Sequence, residues 1–393
     1  MEYVSLSKLF YKDKNNYENI YQNRFNADST LRIGLDIKNN PSFLVFDKEL
    51  TELVSEIHIA DKKLSIAKRK LPQTALAQFE KWCLVNEVHL TNEIEGVHST
   101  RREINRVMSM KDNEAKSARL AGLIMKYELI LQNEEIKLKT CQDIRKLYDE
   151  ILKAEVLSED KHDALDGQIF RAKEVHIHSE RQIIHSGLMP ESKIIDYMES
   201  ALGLLNKPEN TLINIALFHY LFGYIHPFYN GNGRMARFLC SYYISKILDP
   251  MVALNLSYTI KQNIKTYYKI FEETNSERNR GDLSFFVISF LEIIKKSVLS
   301  VSDAMENRVE KFDAYNSILS EIDVSGTEHN ILYILLQNSL FGDRGFSVDE
   351  LVGESGTSSA TVRIALKKYK KWLKEGKMGK KILYDIDLDV FGD

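Results

Sequence analysis

The chain has 393 residues, with 53 Lys and Arg against 56 Asp and Glu, a net charge of −3 and 44% hydrophobic residues. A slightly acidic chain of this size suggests two or three domains with apolar residues enough for a good core, and it gives no whole-molecule reason to expect nucleic acid. No apolar run approaches a membrane span, the N-terminus lacks the order of a signal peptide, and Cys83, Cys141 and Cys240 are scattered without metal-ligand spacing, so the expectation is a cytoplasmic protein with reduced thiols and no membrane partner.

The first ~45 residues are polar and rich in Asn and Tyr, which predicts an irregular arm or a short strand pair. From Asp47, a candidate N-cap, Leu50, Leu53, Ile57, Ala60, Leu64 and Ala67 recur at three- and four-residue steps and mark an amphipathic helix ending before Pro72. Further helices are predicted over Leu76–Ile94, stopping at Gly96, around Glu114–Leu131, and over Thr140–Leu152 with its stripe of Ile144, Leu147, Tyr148 and Ile151. Between Phe170 and Ser186 the pattern changes: Val175 and Ile177 alternate with Glu174, His176 and His178, and a polar Ser179-Glu180-Arg181 turn leads to Ile183 and Ile184. That alternation predicts a β-hairpin.

Thr211–Ile225 is apolar on nearly every face, the mark of a helix buried in a core. It runs into His226-Pro227-Phe228-Tyr229-Asn230-Gly231-Asn232-Gly233-Arg234-Met235-Ala236-Arg237, followed by helical spacing from Arg234 to Leu248. Pro227 blocks continuation of the first helix. Gly231 and Gly233 allow the backbone N–H groups to turn into one concavity at the start of the second, an arrangement that binds anions. Arg234 and Arg237, three residues apart, share one helix face and could clamp two phosphate groups. His226 is a titratable base beside that phosphate site.

This run resembles the signature of the Fic family, HPFx(D/E)GNGRxxR. The resemblance implies a mainly α fold, with a Fic helical core and a small β-hairpin flap, and transfer of the AMP part of ATP to a Ser, Thr or Tyr hydroxyl of a target protein with release of pyrophosphate. It implies that His226 is the general base, that Gly231, Asn232 and Gly233 hold the α-phosphate, and that Arg234 and Arg237 hold the β- and γ-phosphates. Asn230 stands where the family usually has the Asp or Glu that binds Mg²⁺. An amide oxygen brings no charge, so weaker metal affinity is expected. Thr91-Asn92-Glu93-Ile94-Glu95-Gly96 is similar to the family's inhibitory pattern (S/T)xxxE(G/N), which implies that Glu95 inhibits by pairing with Arg237. By the same resemblance Val175, His176 and Ile177 lie on the flap that positions the target, and Tyr268 flanks the adenine.

After a predicted long helix over Phe285–Leu319, short helices are expected over Glu328–Gln337, Ser347–Val352 and Ser358–Leu373, with a turn at Gly353–Thr357 and a hairpin over Gly376–Asp387. The succession resembles a winged helix-turn-helix domain. Arg363, Lys367, Lys368, Lys370, Lys371, Lys374, Lys377, Lys380 and Lys381 give it a local basic character that would suit DNA. The expected division is 1–115 as an N-terminal arm with the inhibitory helix, 116–300 as the Fic core and 301–393 as the winged-helix module. Two functions compete on these residues: a self-inhibited protein adenylyltransferase using ATP and Mg²⁺, and a DNA-binding regulator whose Fic-like core senses nucleotide. Removal of AMP, using the same groups, and association as a homodimer are left open.

Overall fold

The computed structural model describes residues 3–110, 118–178, 183–209 and 211–391. The molecule is mainly helical, with three two-stranded antiparallel hairpins among the described residues. The N-terminus forms the expected short strand pair, the hairpin β1 (Thr30–Ile37) and β2 (Asn40–Val45), but helices α1 (Leu6–Lys12) and α2 (Tyr17–Asn26) precede it. The polar composition hid these helices because they bury little: Leu6, Tyr21 and Phe43 make a small apolar cluster of their own.

Helix α3 (Lys48–Lys68) starts where the sequence places it, with the Asp47 carboxylate accepting the Leu50 N–H at 2.9 Å. Pro72 is the N-cap of α4 (Gln73–Ile94), and Glu95 and Gly96, the latter at φ +72°, end that helix. After α5 (Arg101–Met108), helix α6 covers Ala121–Leu131. It starts at Ala121 because Leu120 precedes it in a left-handed conformation; residues 114–117 of the expected helix lie outside the described ones.

The central part contains α7 (Cys141–Ile151), capped by a reciprocal Thr140–Asp143 box, α8 (Lys153–Glu159), and the hairpin β3 (His176–His178) and β4 (Ile183–Ser186). The predicted turn Ser179–Arg181 lies outside the described residues. Helix α9 (Glu191–Leu205) then packs on α10 (Thr211–Ile225). Nearly every α10 side chain is buried, which explains why its apolar residues show no single face. The site turn leads to α11 (Asn232–Ser245). Three shorter helices, α12 (Pro250–Ala253), α13 (Leu256–Gln262) and α14 (Ile264–Thr274), surround that pair and meet α15 (Ser284–Glu321).

Helix α15 runs unbroken through residue 300, and one apolar cluster extends from Ile33 to Phe391. Beyond it lie α16 (Gly326–Phe341), α17 (Val348–Ser355), α18 (Ser359–Lys368) and the hairpin β5 (Leu373–Met378) with β6 (Lys381–Ile386), which Phe346 extends by pairing with Tyr384. The expected third helix stops early. Lys370–Trp372 is a 3-10 turn, and Leu373 belongs to β5, where it faces Ile386. The turn between α17 and α18 is also tighter than expected, because α17 continues to Ser355 and Gly356 closes it at φ +66°.

Candidate active site

Helix α10 delivers His226 to its C-terminal end, where the His226 N–H still donates to the Phe222 carbonyl at 3.0 Å. The residue itself sits at φ +52°, a left-handed conformation that costs a non-glycine residue free energy and persists only where surrounding contacts impose it. Those contacts come from the segment before the hairpin. Arg171 Nε donates to the His226 carbonyl at 2.8 Å and the Arg171 N–H donates to that of Pro227 at 3.2 Å. Tyr229 Oη donates to Asp166 at 2.6 Å and accepts the Lys173 N–H at 2.9 Å. Loss of water around the ring, then the charges of His185 and Arg171, push the His226 pKa down to about 3, well below the ordinary value near 6.5 expected from the sequence. The imidazole is therefore neutral at pH 7 and able to accept a proton.

The turn from Tyr229 to Gly233 is closed by Asn232, whose amide bridges both the N–H (3.0 Å) and the carbonyl (2.8 Å) of Phe228. Its side chain shapes the loop rather than facing outward. Gly231, at φ +82°, begins α11, and no side chain caps that helix. Asn230 Oδ1 accepts the Gly231 N–H at 2.6 Å. Gly233 is required by close approach: a Cβ there would lie 2.2 Å from Glu95 Oε1. The carboxylate of Glu95 thus lies against the first turn of α11, at the positive end of the helix.

Both arginines of the motif are fully buried, and each meets one carboxylate. Arg237 pairs with Glu95 at 2.8 Å, while its Nε donates to Thr91 Oγ1 and its Nη2 to the Thr91 carbonyl, each at 2.9 Å. Helix α4 therefore engages Arg237 through two residues one turn apart. Arg234 meets Glu155 of α8 at 3.2 Å, but none of its three nitrogens makes a well-directed hydrogen bond among the described residues. A buried cation in that condition costs more than the about 1–3 kcal/mol of an unsatisfied neutral donor, so an anion that supplied acceptors would relieve it.

Glu155, one of two carboxylates on α8, carried no sequence signal, and neither did Arg171, which precedes the strand β3. Glu87, one turn before Thr91 on α4, was missed as well. It is fully buried, accepts from Ser257 N–H and Oγ and from Tyr127 Oη, and burial raises its pKa to about 7.

Of the two tyrosines on α14, Tyr267 is buried and hydrogen-bonded to His219 Nε2 at 2.8 Å, whereas Tyr268 is half exposed, with Glu95 and Arg237 among the charges that act on its hydroxyl. On the flap, the Val175 carbonyl accepts the Gly187 N–H at 3.0 Å. His176 is exposed and hydrogen-bonded to Ser186 Oγ at 2.9 Å, and Ile177 pairs through its backbone with His185. Among the described residues no group of three His, Cys, Asp or Glu side chains could hold a metal.

Residues 139–244 match the model of the Fic/DOC family. No curated protein matches the chain. Among solved structures, a Fic family protein from Desulfovibrio desulfuricans G20 is similar over 88% of this chain and 97% of its own, at 18% identity and a TM-score of 0.53. A Fic domain containing signaling protein from Bacteroides thetaiotaomicron VPI-5482 matches 66% of this chain and 95% of its own, at 15% identity and a TM-score of 0.44. The matched residues 139–244 contain the histidine, the glycine turn and the two buried arginines, and their fold is similar to that of the Fic/DOC family.

Proposed function

We propose that the protein is a self-inhibited protein adenylyltransferase, which moves AMP from ATP to a hydroxyl side chain of a target protein. The observation that carries this reading is the joint placement of a neutral histidine, an uncapped helix N-terminus and two buried arginines, one of them occupied by Glu95. Anions favour such a helix terminus, and guanidinium groups bind phosphate oxygens in bidentate fashion. In the proposed reaction the target oxygen forms a bond to the α-phosphorus, and the bond from that phosphorus to the oxygen bridging to the β-phosphate breaks. His226 takes the hydroxyl proton and pyrophosphate leaves. Bound ATP places negative charge beside the ring, which raises its basicity from the low value of the unliganded site. Arg234 and Arg237 then neutralise the leaving pyrophosphate, and Tyr268 lies beside the adenine.

Among the described residues no cluster of carboxylates or histidines stands ready to hold a metal. Asn230 is neutral and already accepts the Gly231 N–H, so Mg²⁺ would be held chiefly by the phosphates with which it arrives, and Asn230 is at most a single weak ligand. Glu95 acts as the inhibitory group: its carboxylate lies where an anion would sit on α11, and Arg237 is committed to it. We further infer that residues after 325 form a winged helix-turn-helix, supported by the order helix, short strand, helix, helix, hairpin. Arg363, Lys367 and Lys370 are exposed there and suit a polyanionic partner, although Lys368 is paired with Glu328, Lys374 with Asp387 and Lys381 with Asp349. A regulator that only senses nucleotide has no use for a base at the phosphate, which favours the transferase. Incubating the protein with ATP labelled in the α-phosphate and a cell lysate tests this reading: label on protein supports it, and nucleotide binding without label on any protein contradicts it.

A further inference from the structure

Arg171 is a fully buried cation near the site that the proposed chemistry does not use. It has no exposed surface, and no carboxylate lies within ion-pair distance among the described residues. A cation buried in this way is costly unless its donors are satisfied. Here they are satisfied by backbone. Nε donates to the His226 carbonyl (2.8 Å), Nη1 to the Lys173 carbonyl (2.6 Å) and Nη2 to the Leu188 carbonyl (2.8 Å), while Met189 Sδ lies 3.4 Å from Nη1.

These three carbonyls belong to three pieces of chain that must be in register for a target to be presented to the histidine. Lys173 lies just before β3, Leu188 just after β4, and His226 is the proposed base itself. Gly187 shows how tightly they converge, since a Cβ there would lie 2.3 Å from Arg171 Nη2, 3.0 Å from Val175 Cγ1 and 3.1 Å from His226 Cβ. Two backbone bonds reinforce this convergence: Gly187 N–H to the Val175 carbonyl at 3.0 Å and Leu188 N–H to the Ile225 carbonyl at 3.1 Å. One planar fork of donors thus joins both roots of the flap to a histidine held at φ +52°.

We infer that Arg171 is a positioning residue that fixes the flap and His226 in one geometry, so that a hydroxyl held by the flap meets the imidazole. The inference rests on the transferase reading for its kinetic consequence but not for its structural one. Lysine cannot reproduce it, because an ammonium is a point donor without the fork, and methionine keeps the length without any donor.

The test uses the full chain carrying Glu95→Gly, with Arg171→Met and Arg171→Lys added separately. Displacing reacting groups by about 1 Å costs on the order of 10²-fold in rate, so Arg171→Met should lower kcat by about that factor and raise KM for the target, while ATP affinity stays within about threefold. Arg171→Lys should recover part of the loss. A second readout needs no transfer: exchange of the Gly187 and Leu188 amide hydrogens should quicken about tenfold or more in Arg171→Met, with Tm recorded alongside. Unchanged exchange at both amides, or an activity loss that only follows the folded fraction, would overturn the inference. If Glu95→Gly itself transfers no AMP, the transferase reading fails, and the exchange measurement alone decides the role of Arg171.

Discussion

His226 unites two properties that its neighbours create: a left-handed backbone and a ring kept neutral by its surroundings. His226→Ala should lower AMP transfer by about 10²–10⁴-fold, the usual contribution of a general base, while ATP affinity measured by calorimetry changes only a few-fold. At Asn230 the expectation is opposite in sign. Asn230→Asp restores a charged oxygen ligand and should lower the Mg²⁺ concentration needed for half-maximal transfer, whereas superimposable Mg²⁺ titrations would remove Asn230 from the metal shell. The buried histidines also predict an acid response. Burial pushes His185 down to about 4 and His219 to about 3, so between pH 6.5 and these values the unfolded chain binds more protons than the folded one. Stability contributed by their neutral forms is present above pH 6.5 and lost as pH falls, at about 1.4 kcal/mol per pH unit for each proton of difference. Glu87, raised to about 7, acts in the opposite sense between pH 4.5 and 7, since its folded-state proton is lost as pH rises. With His226, itself held near 3, three histidines against one carboxyl leave a net fall in the urea midpoint from pH 6.5 to 5, and a rise would contradict these assignments.

Helix α4 is the element that the sequence described best in outline and least in detail. Its stop at Gly96 could be read from the residues, because a left-handed glycine ends helices for a local reason, whereas the inhibitory role of Glu95 is implied only by the family resemblance. The bond from Thr91 to Arg237 is geometric and has no such local sign. If α4 restrains Arg237 at two points, Thr91→Val, which removes only the hydroxyl acceptor, should raise transfer less than Glu95→Gly does, and the double variant should exceed either. Equal rates for wild type and Thr91→Val would leave Glu95 as the sole restraint. The long-range partners Glu155 and Arg171 were not legible, since nothing in a single sequence says which carboxylate of α8 meets Arg234, or that an arginine before a strand points inward. The motif itself was legible because its proline, glycines and arginines act within one turn of chain.

Across the whole molecule, the part after residue 325 packs against α4. Gln337 of α16 accepts the Ala75 N–H at the start of α4 (3.0 Å), and Phe79 meets Phe341 edge to face. This contact was not legible beforehand, because helical periodicities identify apolar faces but not which faces meet. Gln337→Ala should leave a buried N–H unpaired and cost about 1–3 kcal/mol, read as a lower urea midpoint without a change in slope. The central claim is that one molecule holds both the transfer chemistry and its restraint. Incorporation of label from α-phosphate-labelled ATP into lysate protein, compared for wild type, Glu95→Gly and Glu95→Gly with His226→Ala, tests it most directly. On that claim, weak labelling by wild type, strong labelling by Glu95→Gly and none by the double variant are expected. Labelling by the double variant equal to that by Glu95→Gly, or no labelling by any of the three, would contradict it.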